Sequence, residues 1–130
     1  GPGELIEPTY MDICHDQLAV YCSGDRRLTF FDLNGKYVTT LHSTSSLRQM
    51  RLDSRGNAIA FVTIPDKNGK QIVELQKFDP GLRYEKTLAA YDWSPPQYFT
   101  AVATFDIAKE DSIVYGDPGK YEIRVFGNSG

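Results

Sequence analysis

The chain has 130 residues and a formal net charge of −3 at pH 7, from 14 basic and 17 acidic residues. A chain of this length suits one domain that buries about two-thirds of its unfolded surface. Nucleic-acid-binding proteins normally present a basic surface, which this composition does not supply. No apolar run reaches the length of a membrane span. The bulk numbers therefore argue against a nucleic-acid-binding protein and against a membrane span.

The N-terminus and the two cysteines bear on the cellular compartment. The opening Gly1-Pro2-Gly3 resembles the remnant of a cleaved tag, so a native leader is not excluded although no signal peptide is visible. Cys14 and Cys22 form no metal-ligand pattern and do not face each other in the hairpin predicted below. We therefore expect free, buried cysteines rather than a disulfide, and the residues alone leave the compartment unknown.

Three segments of the chain resemble one another, which predicts a repeat architecture. Each segment has an apolar residue, an Asp, a polar turn and an apolar strand, and the middle segment carries a Gly56-Asn57 hairpin signal. A second shared feature is a Phe at the end of a later strand, directly before residues that favour a turn. The first anchors are Asp12, Asp53 and Asp106, and the second anchors are Phe31, Phe78 and Phe126.

The anchors divide the chain into approximate repeats 8–46, 47–97 and 98–130, each with strands a to d in order. The first repeat has predicted strands at Pro8–Ile13, Leu18–Cys22, Leu28–Phe31 and Tyr37–Leu41. The second has them at Leu47–Leu52, Ala58–Ile64, Gln71–Phe78 and Arg83–Leu88. The third has them at Tyr98–Phe105, Ser112–Tyr115 and Tyr121–Phe126, and its d strand is missing.

Residues 1–130 are therefore interpreted as one all-β domain, or as a fragment of a larger one, built from consecutive four-stranded antiparallel units. Helices are not expected, because no segment shows a sustained 3.6-residue period with caps. The b strands are apolar nearly throughout, as in residues 58–62, which predicts that they are covered on both faces. The repeat argues against a free-standing β-sandwich, whose strands would divide between two facing sheets.

The repeat motifs resemble those of the NHL-type and related six-bladed β-propeller families. The matching residues are Asp53 with Gly56-Asn57, and Phe31-Asp32 with Asn34-Gly35-Lys36. The resemblance implies that the units are blades and favours an extracytoplasmic location. Propellers close with about four to eight blades, so three blades cannot close a ring. They would make up half of a six-bladed one. Either the chain is a fragment or a second copy completes the ring, and residues 3–6 are a candidate for the missing strand, in this chain or in a partner.

Residue types that carry chemistry are sparse. His15 and His42 are predicted in exposed loops at opposite ends of the units, which separates them too far for a shared metal or a catalytic dyad. The recurring Asp residues are explained better by hydrogen bonds to the following turn than by metal binding. We therefore expect no catalytic residues, no metal and no cofactor.

The predicted topology places the b–c and d–a loops at one end, and long loops on a rigid scaffold are where binding residues concentrate. The aromatic residues Tyr91, Trp93 and Tyr98 flank a Pro-rich loop there and suit a contact surface. The alternative is that Trp93 folds down to cap a gap between repeats. The other candidate binding residues at this end are Arg26, Lys67 and Lys70.

These observations favour a non-enzymatic binding or scaffold module that contacts a protein or a small ligand through its b–c and d–a loops. The alternative is a fragment of a propeller enzyme, a lyase or hydrolase, whose active site lies largely in missing blades. A cluster of ionisable residues on the inner a strands would distinguish the two. The a strands offer Arg48, Arg51 and a few Asp, without His, which favours binding.

Overall fold

The computed structural model describes residues 3–92, 103–117 and 122–127. Within these residues the protein is all-β, with one 3₁₀ turn at Lys109–Asp111 and no α-helix. The first eight strands are β1 (Pro8–Cys14), β2 (Gln17–Cys22), β3 (Arg27–Asp32), β4 (Tyr37–His42), β5 (Arg48–Leu52), β6 (Ala58–Pro65), β7 (Gln71–Phe78) and β8 (Tyr84–Asp92). The last three are β9 (Thr104–Ile107), β10 (Ile113–Asp117) and β11 (Glu122–Phe126).

Each of these strands matches a strand predicted from the sequence, with small differences at the ends. The largest described difference is at β8, which continues past the predicted end at Leu88 to Asp92. The side chains of Leu88, Ala89 and Tyr91 pack between sheets, so the chain gains buried area by staying extended. Residues 98–102, the predicted start of β9, lie outside the described residues.

The strands form three antiparallel sheets, each made of strands that are consecutive in the sequence. Sheet 1 has the order β1-β2-β3-β4, sheet 2 the order β5-β6-β7-β8, and sheet 3 the order β9-β10-β11. Residues 3–6 lie outside any strand in this chain, and Gly3 lies beside Tyr37 of sheet 1. The single chain therefore does not use residues 3–6 to extend sheet 3, and pairing with another copy stays a prediction.

Sheet 2 is packed on both of its faces. One face of β6 contributes Ala58, Ala60 and Val62 to a core shared with sheet 1. The opposite face contributes Ile59 and Phe61 to a second core shared with sheet 3. The exposed fraction of all five side chains is 3% or less. The prediction that the apolar b strand is covered on both faces is confirmed for sheet 2.

The strand register confirms the Phe anchors of the repeat. Phe31 pairs with Leu18, Phe78 with Ala58, and Phe126 with Ile113. These three b-strand residues also pair with the inner strands, at Ile13, Leu52 and Ile107. The three Phe residues therefore occupy the same position in their sheets.

The Asp anchor is wrong in the second repeat. Asp12 and Asp106 lie one residue before Ile13 and Ile107, and the residue in that position of sheet 2 is Arg51. Asp53 lies in the connection that follows β5. Asp12 and Asp106 are residues of β1 and β9, whereas Asp53 is the first residue of the β5–β6 turn.

Asp53 instead belongs to a turn that occurs four times in the described residues. Its Oδ1 accepts hydrogen bonds from the backbone N–H groups of Arg55 and Asn57, both at 2.9 Å. The expectation that a recurring Asp accepts bonds from its own turn is thus confirmed at Asp53. The same pattern, with N–H donors two and four residues on, occurs at Asp32, Asp66 and Asp79.

The fourth of these turns differs from the others at its left-handed residue. The equivalent residue in the first three turns is a glycine with positive φ, whereas in the Asp79 turn it is Leu82, with a φ of 63°. The exposed fraction of Leu82 is 6%, and its side chain packs in the core between sheets 1 and 2. This packing offsets the strain of a left-handed conformation at a residue with a Cβ atom.

Candidate functional site

The loops that precede β3 and β5 meet at one end of the sheets, as the strand order predicts. The N–H of Ser43 donates to the carbonyl oxygen of Arg26 at 2.9 Å. The Arg26 guanidinium donates through Nη1 to the carbonyl oxygen of Thr44, also at 2.9 Å. These two contacts fasten the β2–β3 loop to the β4–β5 loop. We call this end of the molecule the loop end.

An open cleft of about 310 Å³ lies at the loop end, between sheets 1 and 2. Its lining contains two arginines, Arg26 and Arg48, and the consecutive hydroxyl residues 44–46. Val62 and Thr63 of β6 complete the lining, and Val62 is buried. None of the described residues in this lining carries a carboxylate. We call this feature the loop-end cleft.

The hydroxyl-bearing side of the cleft is held in place by a buried tyrosine. The Tyr21 hydroxyl accepts a hydrogen bond from the N–H of Leu47 at 3.1 Å and donates to the carbonyl oxygen of Ser45 at 3.5 Å. The Ser43 hydroxyl also donates to the Ser45 carbonyl. Burial raises the pKa of Tyr21, so the hydroxyl keeps its proton for this role. These hydrogen bonds hold the backbone of residues 43–47 in place.

Of the residues expected to bind, Arg26 lines the cleft, whereas Lys67 and Lys70 lie on the exposed β6–β7 turn. Lys70 pairs with Asp92 at 2.9 Å between Nζ and Oδ2, and hydrogen bonding to this carboxylate raises the pKa of Lys70. Both side chains are more than half exposed, so the pair contributes little to stability. The structure thus separates the lysines from the cleft that Arg26 lines.

Tyr91 lies in β8 rather than in a loop and is half buried. Its ring contacts Phe61 edge-on, with a centroid separation of 6.3 Å. Burial raises the pKa of the Tyr91 hydroxyl, while the neighbouring Arg48 guanidinium acts in the opposite direction. Tyr91 therefore has a packing role, and its use in a contact surface stays a prediction. Trp93 and Tyr98 lie outside the described residues.

The inner strands carry a second polar group, whose three members were identified separately in the sequence but were not predicted to meet. The Arg51 guanidinium contacts Asp12 at 3.3 Å and Asp106 at 2.6 Å. Asp12 also accepts a hydrogen bond from the N–H of Leu52 at 2.9 Å. One arginine of sheet 2 thus connects the first strands of all three sheets. Aligning the repeats on their Phe anchors would have placed Asp12, Arg51 and Asp106 at the same position in their sheets.

The opposite end of the sheets is held by contacts between the inner turns. His15 of the β1–β2 turn contacts the Ser54 carbonyl, and the N–H of Ser54 donates to Asp111 at 2.9 Å. The Ser54 hydroxyl and N–H lower the pKa of Asp111. His15 and His42 are both exposed and lie at opposite ends, as predicted. Nowhere in the described residues do three His, Cys, Asp or Glu side chains group as a metal site would require.

The cysteines are free and buried, as predicted. Burial raises the pKa of Cys14, and its thiol donates to the carbonyl oxygen of Asp53 at 3.4 Å. A raised pKa disfavours the thiolate, which is the reactive form, so Cys14 is a packing residue.

No helix within residues 3–92, 103–117 and 122–127 is long and apolar enough to cross a membrane. Comparison of the chain with known proteins finds no matching family model and no significant match among curated proteins.

Proposed function

We propose that this chain is a non-enzymatic β-propeller binding module that contacts a protein or a small ligand through its loop end. The observation that carries the proposal is the loop-end cleft, whose lining combines free hydroxyls and two guanidiniums on loops that hydrogen bonds hold in place. Rigid loops bind with less loss of conformational entropy than flexible ones. The chemistry of the lining suits recognition, since guanidiniums and hydroxyls are hydrogen-bond donors to a ligand.

The propeller part of the proposal is supported by the way the sheets follow one another. Each sheet is a meander of consecutive strands, and the first strands of neighbouring sheets lie close together, as β1 and β5 do. Arg51 links these inner strands across all three sheets. Blades around a common axis have this arrangement, with their first strands innermost.

The outward faces of sheets 1 and 3 support a second copy as the partner that completes the ring. Ile123 and Val125 of sheet 3 are 74% and 66% exposed, and Met11 and Ile13 of sheet 1 are 67% and 65% exposed. Comparable apolar side chains are buried where sheet 2 meets its two neighbours. A second copy would cover both faces by the same type of sheet-on-sheet packing.

We expect sedimentation equilibrium to give a mass near twice 14.6 kDa for the chain at micromolar concentration. Replacing Ile123 and Val125 together with Lys should reduce this mass to that of the monomer, because it puts two charges into an apolar interface. Leu33→Lys is the matched control, since Leu33 is 63% exposed but lies in the β3–β4 turn. A monomeric wild-type chain, or a control that dissociates equally, would contradict ring completion by a second copy.

The binding role is tested by a fragment screen followed by ¹H–¹⁵N NMR. Chemical-shift changes should concentrate on residues 43–48 and 62–63, because these surround the loop-end cleft. Thr63→Trp is expected to reduce the number of hits by filling the cleft from an exposed position, and Leu33→Trp, at an exposed position in the β3–β4 turn, is its control. Hits spread evenly over the surface would count against the loop end as the binding surface.

A second candidate function is that of a propeller enzyme, a lyase or hydrolase, with part of its site on the inner strands. The observation that favours it is the meeting of Asp12, Arg51 and Asp106. If the chain is part of such an enzyme, the largest chemical-shift changes in the fragment screen should occur at these three residues rather than at the loop end. We favour binding because Arg51 is already engaged by both carboxylates.

A further inference from the structure

We propose that the loop-end cleft binds an oxyanion, a carboxylate or a phosphate, between the guanidiniums of Arg26 and Arg48. The inference rests on the proposed function in one respect, the use of the loop end as the binding surface. It adds the chemical class of the group that is bound.

The charge of the cleft is opposite to the charge of the whole chain. The chain carries a net charge of −3, yet the described residues that line the cleft include two arginines and no carboxylate. Two of the acidic residues near the loop end are engaged elsewhere. Asp25 pairs with Arg27, and Asp92 pairs with Lys70. A local positive charge on an acidic protein favours an anionic ligand over a neutral one.

Arg26 is held at the edge of the cleft by a hydrogen bond to the neighbouring loop. Its backbone has a positive φ of 57°, and its Nη1 donates to the Thr44 carbonyl. A guanidinium has five N–H donors, so this single bond leaves donors for a ligand. Planar guanidiniums match the two oxygens of a carboxylate or phosphate and bind them more strongly than neutral donors do.

The hydroxyls of residues 44–46, which also line the cleft, supply further donors to an oxyanion. Thr44 and Ser46 are exposed, while the Tyr21 hydroxyl and Ser43 hold the backbone between them. A volume of about 310 Å³ is at the small end of the range for ligand sites. The cleft therefore fits one compact anionic group, either free or at the surface of a larger partner.

The test is an NMR titration at low ionic strength with two probes, inorganic phosphate and a tetraglutamate peptide. Either probe should shift the amide signals of residues 44–46 and the Nε–H signals of Arg26 and Arg48. Arg48→Gln should weaken binding by about tenfold or more, as expected for the loss of one charged hydrogen-bonding partner. Added salt should weaken it as well.

Arg55→Gln is the matched control, because Arg55 is an exposed arginine in the β5–β6 turn at the opposite end. A thermal melt of each variant confirms that it is folded. Binding of phosphate alone would indicate a phosphorylated or small anionic ligand, and binding of the peptide alone an acidic segment of a protein partner; either supports the proposal. It is overturned if neither probe shifts the cleft signals, or if Arg55→Gln weakens binding as much as Arg48→Gln does. Fragments that bind the cleft when both anions fail would leave the proposed function intact and remove only this inference.

Discussion

Replacing Phe61 with Ala is expected to lower the free energy of unfolding by about 3–5 kcal/mol. The exposed fraction of Phe61 is 2%, and its ring contacts Phe105, Tyr91 and Tyr115 at centroid separations of 5.4, 6.3 and 6.4 Å. Truncation would remove an aromatic side chain from the centre of the core between sheets 2 and 3. Domains of this size are stable by about 5–15 kcal/mol, so the loss is a large share of the total.

The measurement is urea unfolding followed by circular dichroism at two or more protein concentrations. Phe61→Leu keeps most of the volume and should cost less than about 1.5 kcal/mol. Leu33→Ala removes an exposed apolar side chain and should leave the midpoint nearly unchanged. A Phe61→Ala variant as stable as the Leu33→Ala variant would show that the packing between sheets 2 and 3 is wrong.

Asp12→Ala should destabilise the protein more than Asp106→Ala, although the two residues have the same position in their sheets. The Asp12 side chain is 18% exposed and accepts bonds from the Leu52 N–H and from Arg51. Its removal leaves the N–H of the buried Leu52 without this acceptor, at a cost of about 1–3 kcal/mol. The Asp106 side chain is 69% exposed, and an exposed ion pair contributes about 0–1 kcal/mol.

Thermal unfolding of the two variants in low and in high salt tests this difference. The effect of Asp106→Ala should shrink in high salt, because solvent ions screen an exposed pair. The effect of Asp12→Ala should largely persist, and Asp12→Asn should recover part of it because the amide oxygen accepts the Leu52 bond. Equal losses at both positions would contradict the structural role assigned to the Leu52 bond.

The strands and their order were predictable from the sequence, because short apolar runs alternate with turn residues throughout. The Phe anchors were informative for a physical reason. Phe31, Phe78 and Phe126 each end a c strand, and the strand register holds them at one position. The Asp anchor failed at Asp53, because this Asp opens the β5–β6 turn, whereas Asp12 and Asp106 lie within their strands.

The candidate site was only partly predictable. Arg26 was found because it lies in a b–c loop, whereas Arg48 was noted only as a residue of an inner strand. As the first residue of β5, Arg48 lies where the strand leaves the loop end, so the up-and-down strand order contained the signal. The burial of Tyr91 was not predictable, since it depends on packing against Phe61, two strands away in the same sheet, in the core shared with sheet 3.

The covering of sheet 2 on both faces has a consequence for the balance of stability in the molecule. Three sheets in a row share two interfaces, so each end sheet has one neighbour and the middle sheet has two. In a ring completed by a second copy every sheet would have two neighbours, and each chain would gain the equivalent of one more interface. Stability would then depend on protein concentration through mass action. Dilution alone would act on this protein as a denaturant.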